Sequence, residues 1–289
     1  MNNFNFEIDI PIDSFNLNHI FECGQCFRWE KQIDDSYIGI IEDTVLRVAI
    51  KNKKLAVEGI TKKEDIKEFL IEYFDLNNDY SAIKSRLSNV DQNLKTSIEY
   101  GYGIRILKQN LFECIISYII SANNNIPRIK KIINNISKQF GEEVVFEENK
   151  YYLFPSIEQL SKGNLEDFKA AGAGFRDIRI YNTTQAIYSG SFSLDNLYEI
   201  EDIDELEKEL LKLDGVGPKV ANCIMLFALK RFDVFPIDVW VRRVMNDLYI
   251  HAKDENKINN KEILKIARNK FGDLSGLAQQ YLFYWRREL

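Results

Sequence analysis

The spacing of apolar residues changes once along this 289-residue chain, near residue 61, and that change constrains the fold more than any other feature. Before it, FNFEIDI alternates apolar and polar residues, and QCFRWEKQ, SYIGII, TVLRVAI and KKLAVEG are short β-branched or aromatic runs. Polar pairs at Asp34-Asp35, Asp43-Thr44 and Asn52-Lys53 predict the turns of an antiparallel meander. After it, segments such as LFECIISYIISA, PRIKKIINNISKQF, IDELEKELLKL, PKVANCIMLFALK and LSGLAQQYLFYWRREL carry apolar residues at three-and-four spacing, the signature of amphipathic helices. The expectation is an α+β chain, mainly α, with an antiparallel β domain over residues 1–90. Residues 91–289 then form a region of short helices.

Several classes are disfavoured. No run of eighteen apolar residues occurs, and the polar start MNNFNFEIDI is not a signal peptide, so a cytoplasmic chain with no membrane partner is expected. Four cysteines (Cys23, Cys26, Cys114, Cys223) and two histidines (His19, His251) make one isolated C-x-x-C and no second ligand pair. A structural zinc or a four-iron cluster needs four clustered ligands, so free thiols, no metal and no cofactor are expected. The net charge of −6 argues at first against a nucleic-acid partner, but residues 1–90 carry −5 of it. In the rest, bases gather in PRIKKIINNISKQF, LKRF, WVRRV and WRREL, local patches able to meet phosphate.

The chemistry is concentrated in LDGVGPKVANCIMLFALKRFDVFPIDV, residues 213–239. IDELEKELLKL, DGVG and PKVANCIMLFALK read as helix, hairpin and helix over 204–230. Gly215 and Gly217 permit a tight turn, and Pro218 opens the second helix with its first-turn amides free, an anion site indifferent to base sequence. Lys219 stands where the helix dipole disfavours a cation by about 0.3–1 kcal/mol. The same field favours the neutral amine, a nucleophile able to form a Schiff base at a sugar carbon. Asp238, nineteen residues on, is placed as the N-cap of the next helix, and one helix plus a return loop can bring it back beside Lys219. An ordinary helical corner, a solvated lysine and a plain cap would also account for these residues one by one.

Together they resemble the helix-hairpin-helix and aspartate motif of a DNA base-excision glycosylase superfamily. More narrowly, CGQCFRW, SANNNIPRI, GAGFR and LAQQYLF make the chain similar to the 8-oxoguanine DNA glycosylases that also cleave the strand. The resemblance implies a TBP-like antiparallel β domain before two helical lobes, with the active site in the cleft between the lobes. It makes Lys219 the nucleophile and Asp238 the essential carboxylate. The carbonyl of Gly24 would accept from the N7–H that separates 8-oxoguanine from guanine. Phe283 and Cys223 would sandwich the flipped base, and Gln279 would read its Watson–Crick edge. Asn123, Arg128 and Arg176 would fill the vacated stack and hold the orphaned cytosine, and the Gly215 and Gly217 turn would take phosphate. Phe175 stands where a tyrosine wedge is common, and Trp240 where several members have a phosphate-contacting histidine. The implied activity is excision of 8-oxoguanine from duplex DNA through a lysine Schiff base, then β-elimination, by a monomer associated with the nucleoid. The alternatives are a monofunctional glycosylase for another damaged purine, which needs no lysine, and a non-catalytic DNA-binding hairpin module.

Overall fold

The computed structural model describes residues 1–254 and 258–287. Its N-terminal part is a five-stranded antiparallel sheet in the order β1-β5-β4-β3-β2, with β1 at Asn2–Asp9, β2 at Trp29–Lys31, β3 at Tyr37–Ile41, β4 at Thr44–Lys51 and β5 at Lys54–Thr61. β2 to β5 form the expected meander. Lys51 pairs with Lys54 across Asn52 and Lys53, whose φ of 51° and 63° suit a two-residue hairpin turn. The β3–β4 turn falls one residue before the expected pair, on Glu42 and Asp43, because Ile41 pairs with Thr44. β1 pairs instead with β5 along its full length. Between β1 and β2 the chain therefore leaves the sheet, and this excursion carries Gly24.

One face of the sheet buries Phe21, Trp29, Tyr37, Leu46, Val48 and Val57 against the Ile66–Tyr73 helix. Phe21 stacks on Trp29 with ring centres 4.0 Å apart. The opposite face is covered by an element that the sequence reading missed. The region after residue 61 is not all helix: Glu143–Phe146 (β6) and Asn149–Tyr152 (β7) form a second antiparallel hairpin. Its Val144, with Leu153 just beyond β7, packs on Val45 of β4. Arg47 of β4 also donates from Nε to Glu147 at 2.7 Å. Each strand is only four residues long, and Val145 stays 59% exposed, so alternation had too few positions to register.

The helical region forms a separate, larger core that takes in Tyr80 and Leu87 as well. At its centre lies the Leu111–Ser121 helix, apolar nearly all round and buried through Ile120 except at Glu113, as expected of a helix enclosed on every side. The Pro218–Phe227 helix packs against it. Just beyond that helix, Lys230 pairs with Asp75 at 2.9 Å and donates to the Ile106 carbonyl at 2.7 Å. These contacts fix the end of the hairpin's second helix against the chain leaving the sheet domain.

Candidate active site

The helix Ile203–Leu210 is capped by Asp202, which accepts from the Glu205 amide at 2.9 Å. A short turn then leads into Pro218–Phe227, so the expected helix-hairpin-helix is present. Gly215 has φ +85°, a conformation that favours glycine, and a Cβ there would stand in tight contact 3.0 Å from the Arg179 side chain. Thr183 pins the turn by donating to the Asp214 carbonyl at 2.8 Å. At Gly217, the helix N-cap, an added Cβ would meet nothing within 4 Å, and no side chain caps the helix. The first-turn amides therefore face open space, ready for an anion.

Lys219 projects from that first turn, its Nζ 5.1 Å from the centre of the Tyr118 ring. Tyr118 is itself stacked on Phe227, with ring centres 5.6 Å apart and planes 12° from parallel. Asp238 caps the Val239–Met245 helix as expected, accepting from the Val241 amide at 2.7 Å. Asp238 also lines a cavity of about 50 Å³ together with Gly24, Lys219, Cys223, Gln279 and Phe283, and Tyr118, Phe227, Pro236, Val241 and Gln280 complete the wall. Every residue expected to react with the sugar or hold the base meets here, from four separate segments of chain. The Cys223 thiol lines the same cavity and feels both Lys219 and Asp238. Burial pushes its pKa up, the Lys219 ammonium draws it down and the Asp238 carboxylate raises it. The cavity is far smaller than ordinary ligand pockets of about 300–1,000 Å³, so entry of a base requires its walls to part.

Gly24 reaches this cavity with φ +83°, and a Cβ on it would lie 3.3 Å from Arg287 Nη1 and 3.5 Å from Phe283 Cε1. The side chain that holds its loop is Gln25, which is fully buried. Gln25 donates to the carbonyls of Ile20 and Arg105 at 2.8 Å and accepts from the Leu107 amide at 2.9 Å. Its own carbonyl accepts from Gln109 at 2.7 Å and from the Tyr118 hydroxyl at 3.1 Å. Gln25 thus ties the base-facing loop to the floor under Lys219. Arg287 adds a tie from the C-terminal Ser275–Arg287 helix, donating to the Glu22 carbonyl and lying over Phe283 with 5.4 Å to the ring centre.

Known proteins are similar to this chain along most of its length. The model of the 8-oxoguanine DNA glycosylase N-terminal domain matches residues 7–115, and that of the HhH-GPD superfamily of base excision DNA repair proteins matches residues 116–269. An 8-oxoguanine glycosylase/lyase of Clostridium acetobutylicum, solved with duplex DNA containing cytosine opposite 8-oxoG, is 43% identical with a TM-score of 0.91, covering 99% of this chain and 98% of that one. This chain belongs to the 8-oxoguanine DNA glycosylase family. The N-glycosylase/DNA lyase of Saccharomyces cerevisiae is 30% identical over 89% of this chain and 73% of its own. A probable N-glycosylase/DNA lyase of Methanothermobacter thermautotrophicus is 28% identical over 95% of this chain and 94% of its own.

Of the remaining residues expected to meet DNA, Asn123, Arg128, Phe175 and Trp240 are exposed and Arg176 is buried. Asn123 is exposed with φ +50°, beyond the end of the central helix. Phe175 is 54% exposed, and Trp240 is 50% exposed with the Arg243 guanidinium 5.4 Å from its ring. Arg128 is exposed, its Nη2 3.8 Å from where a Cβ on Gly174 would stand. Arg176, expected with Asn123 and Arg128 to fill the vacated stack and hold the orphaned cytosine, is the buried one of the three. It is 1% exposed and donates to the carbonyls of Ala122, Asn123 and Ala173. Burial, with Arg128 and Arg179 nearby, lowers its pKa. Four of its five N–H groups are thereby committed to the main chain, which makes it a brace for the Asn123 loop.

Proposed function

We propose that this chain removes 8-oxoguanine from duplex DNA and then cuts the strand at the sugar left behind. The observation that carries this is the meeting of Lys219 and Asp238 with Gly24, Gln279 and Phe283 around one cavity. The neutral Lys219 amine adds to C1′ of the flipped nucleotide as the C1′–N9 bond breaks. The bonding pair leaves with the base, which takes up a proton. Breaking the C1′–O4′ bond gives the imine, loss of a C2′ proton then expels the 3′ phosphate, and water releases the amine. Asp238 opposes the positive charge that grows on the sugar. Cys223 and Phe283 hold the base, and the Gly24 carbonyl accepts from N7–H. The open Gly215–Gly217 turn takes a phosphate, while Asn123, Arg128, Phe175 and Trp240 meet the duplex.

On this reading residues 1–90 present Gly24 and residues 91–289 supply the rest of the pocket. One chain holds every element, so a monomer suffices. No helix among the described residues is long and apolar enough to cross a membrane. Work on chromosomal DNA in the cytoplasm, at the nucleoid, is part of the same proposal.

The test is covalent trapping. With borohydride and a duplex carrying 8-oxoguanine, the wild type yields a protein–DNA adduct and Lys219→Gln binds the duplex without yielding one. A normal adduct from Lys219→Gln would remove this lysine from the chemistry. A monofunctional glycosylase or a non-catalytic DNA-binding module would give no adduct even from the wild type.

A further inference from the structure

The cavity wall contains a polar group that none of these roles uses. Gln280 follows Gln279 in the C-terminal helix, is 4% exposed and lines the cavity. Its Nε2 donates to Gln279 Oε1 at 3.0 Å. Its own Oε1 is buried and accepts no hydrogen bond among the described residues. A buried amide oxygen without a donor destabilises the fold, so its place beside a ligand cavity needs a reason.

The edge of a guanine base supplies one. It presents two adjacent donors, N1–H and the 2-amino group, whereas an adenine edge offers one donor beside an acceptor. An amide oxygen has two lone pairs, and Gln280 already occupies one of those on Gln279. Gln279 Oε1 is left with one acceptor site for two donors. The second acceptor in the wall is the unused oxygen of its neighbour.

We propose that Gln280 is a second specificity-determining residue for the flipped base, resting on the function proposed above. Gln279 Oε1 accepts from N1–H, Gln280 Oε1 accepts from the 2-amino group, and the bond between the two amides fixes their orientation. Base entry then gives the unpaired Gln280 oxygen a donor. An edge without the 2-amino group leaves it unpaired, and rejection by an unpaired buried group is how such sites discriminate.

The experiment compares kcat/KM on duplexes carrying 8-oxoguanine or 8-oxohypoxanthine, which differ only in the 2-amino group. Cleavage at a pre-formed abasic site, where no base is present, gives the reference rate. The wild type should favour 8-oxoguanine by about tenfold or more, the usual cost of leaving one buried acceptor unpaired. Gln280→Met keeps the side-chain length and should lower that ratio about tenfold towards one, with excision falling relative to abasic-site cleavage. A variant that keeps the wild-type ratio, or loses all activities equally, overturns the proposal, since either result describes a merely structural glutamine. Should Gln280→Met fail to fold, Gln280→Ala is read in the same way. The wild type alone also tests the idea, because equal rates on the two bases would mean that nothing reads the 2-amino group. Failure of the wild type to excise 8-oxoguanine or to be trapped would instead sink the underlying function.

Discussion

Gly24→Ala separates the lesion reader from the rest of the pocket. At φ +83° an alanine strains the backbone by about 1–2 kcal/mol, the cost of the left-handed region for a residue with a Cβ. The added carbon would sit 3.3 Å from Arg287 Nη1 and 3.5 Å from Phe283 Cε1. The first contact is tight and the second ordinary, so the Arg287 side chain must shift slightly while the backbone bears most of the load. For a chain of this size such a loss should lower Tm by only about 2–8 °C, leaving a folded protein. The functional effect should be larger. Relief of the strain rotates the peptide that presents the Gly24 carbonyl, and the hydrogen bond to N7–H, worth about 1–3 kcal/mol in a buried site, is lost. That corresponds to roughly a 5- to 150-fold loss in discrimination. The assay measures Kd for 8-oxoguanine and guanine duplexes by fluorescence anisotropy in a Lys219→Gln background, where no base is removed. If Gly24→Ala keeps the parental Kd ratio while folding normally, the Gly24 carbonyl is not what tells the two bases apart.

Three other outcomes follow from particular contacts. Asp238→Asn keeps an oxygen to accept from the Val241 amide but loses the charge, so its melting should match wild type while excision slows by about 10²–10³ in single-turnover assays. Glu113 keeps 17% side-chain exposure yet its pKa is raised by burial to about 7, against Arg28 drawing it down. Its unfolded-state pKa near 4.5 is the lower one, so its contribution is fully present below about pH 4.5 and is lost as pH rises through 7. Urea unfolding should show the stability of wild type relative to Glu113→Gln falling by up to about 3 kcal/mol between pH 4 and pH 8, and a flat difference would contradict the shift. Arg128→Ala should narrow the preference for cytosine opposite the lesion, measured as excision ratios over the four opposing bases, and unchanged ratios would refute its role.

The parts of this site that could be read from the sequence are those set by local rules. A glycine turn before a proline, a lysine one residue later and an aspartate before a new helix each have meaning within a few residues. The structure has the corresponding turn, first-turn lysine and cap. Gln25 had no such signal: its partners lie at Ile20, Arg105, Leu107 and Gln109, mostly about eighty residues away, and only the fold brings them together. Arg176 was illegible for the same reason, because beside the nearby Ala173 carbonyl its donors are filled by Ala122 and Asn123, more than fifty residues earlier. The positive φ of Gly24 and the strands of the β6–β7 hairpin likewise depend on what surrounds them. Local chemistry singled out Lys219 and Asp238 as candidates, whereas non-local hydrogen bonds decide what surrounds them.

The four cysteines carry a consequence for the conditions under which such an enzyme must work. All four are buried free thiols, and burial raises the pKa of each, that of Cys23 to about 12. Oxidants attack the thiolate rather than the thiol, and attack requires access. Thiol-directed oxidants should therefore find almost no thiolate on the folded protein, even at Cys223 in the cavity wall, and should modify these four residues quickly only once the chain is unfolded.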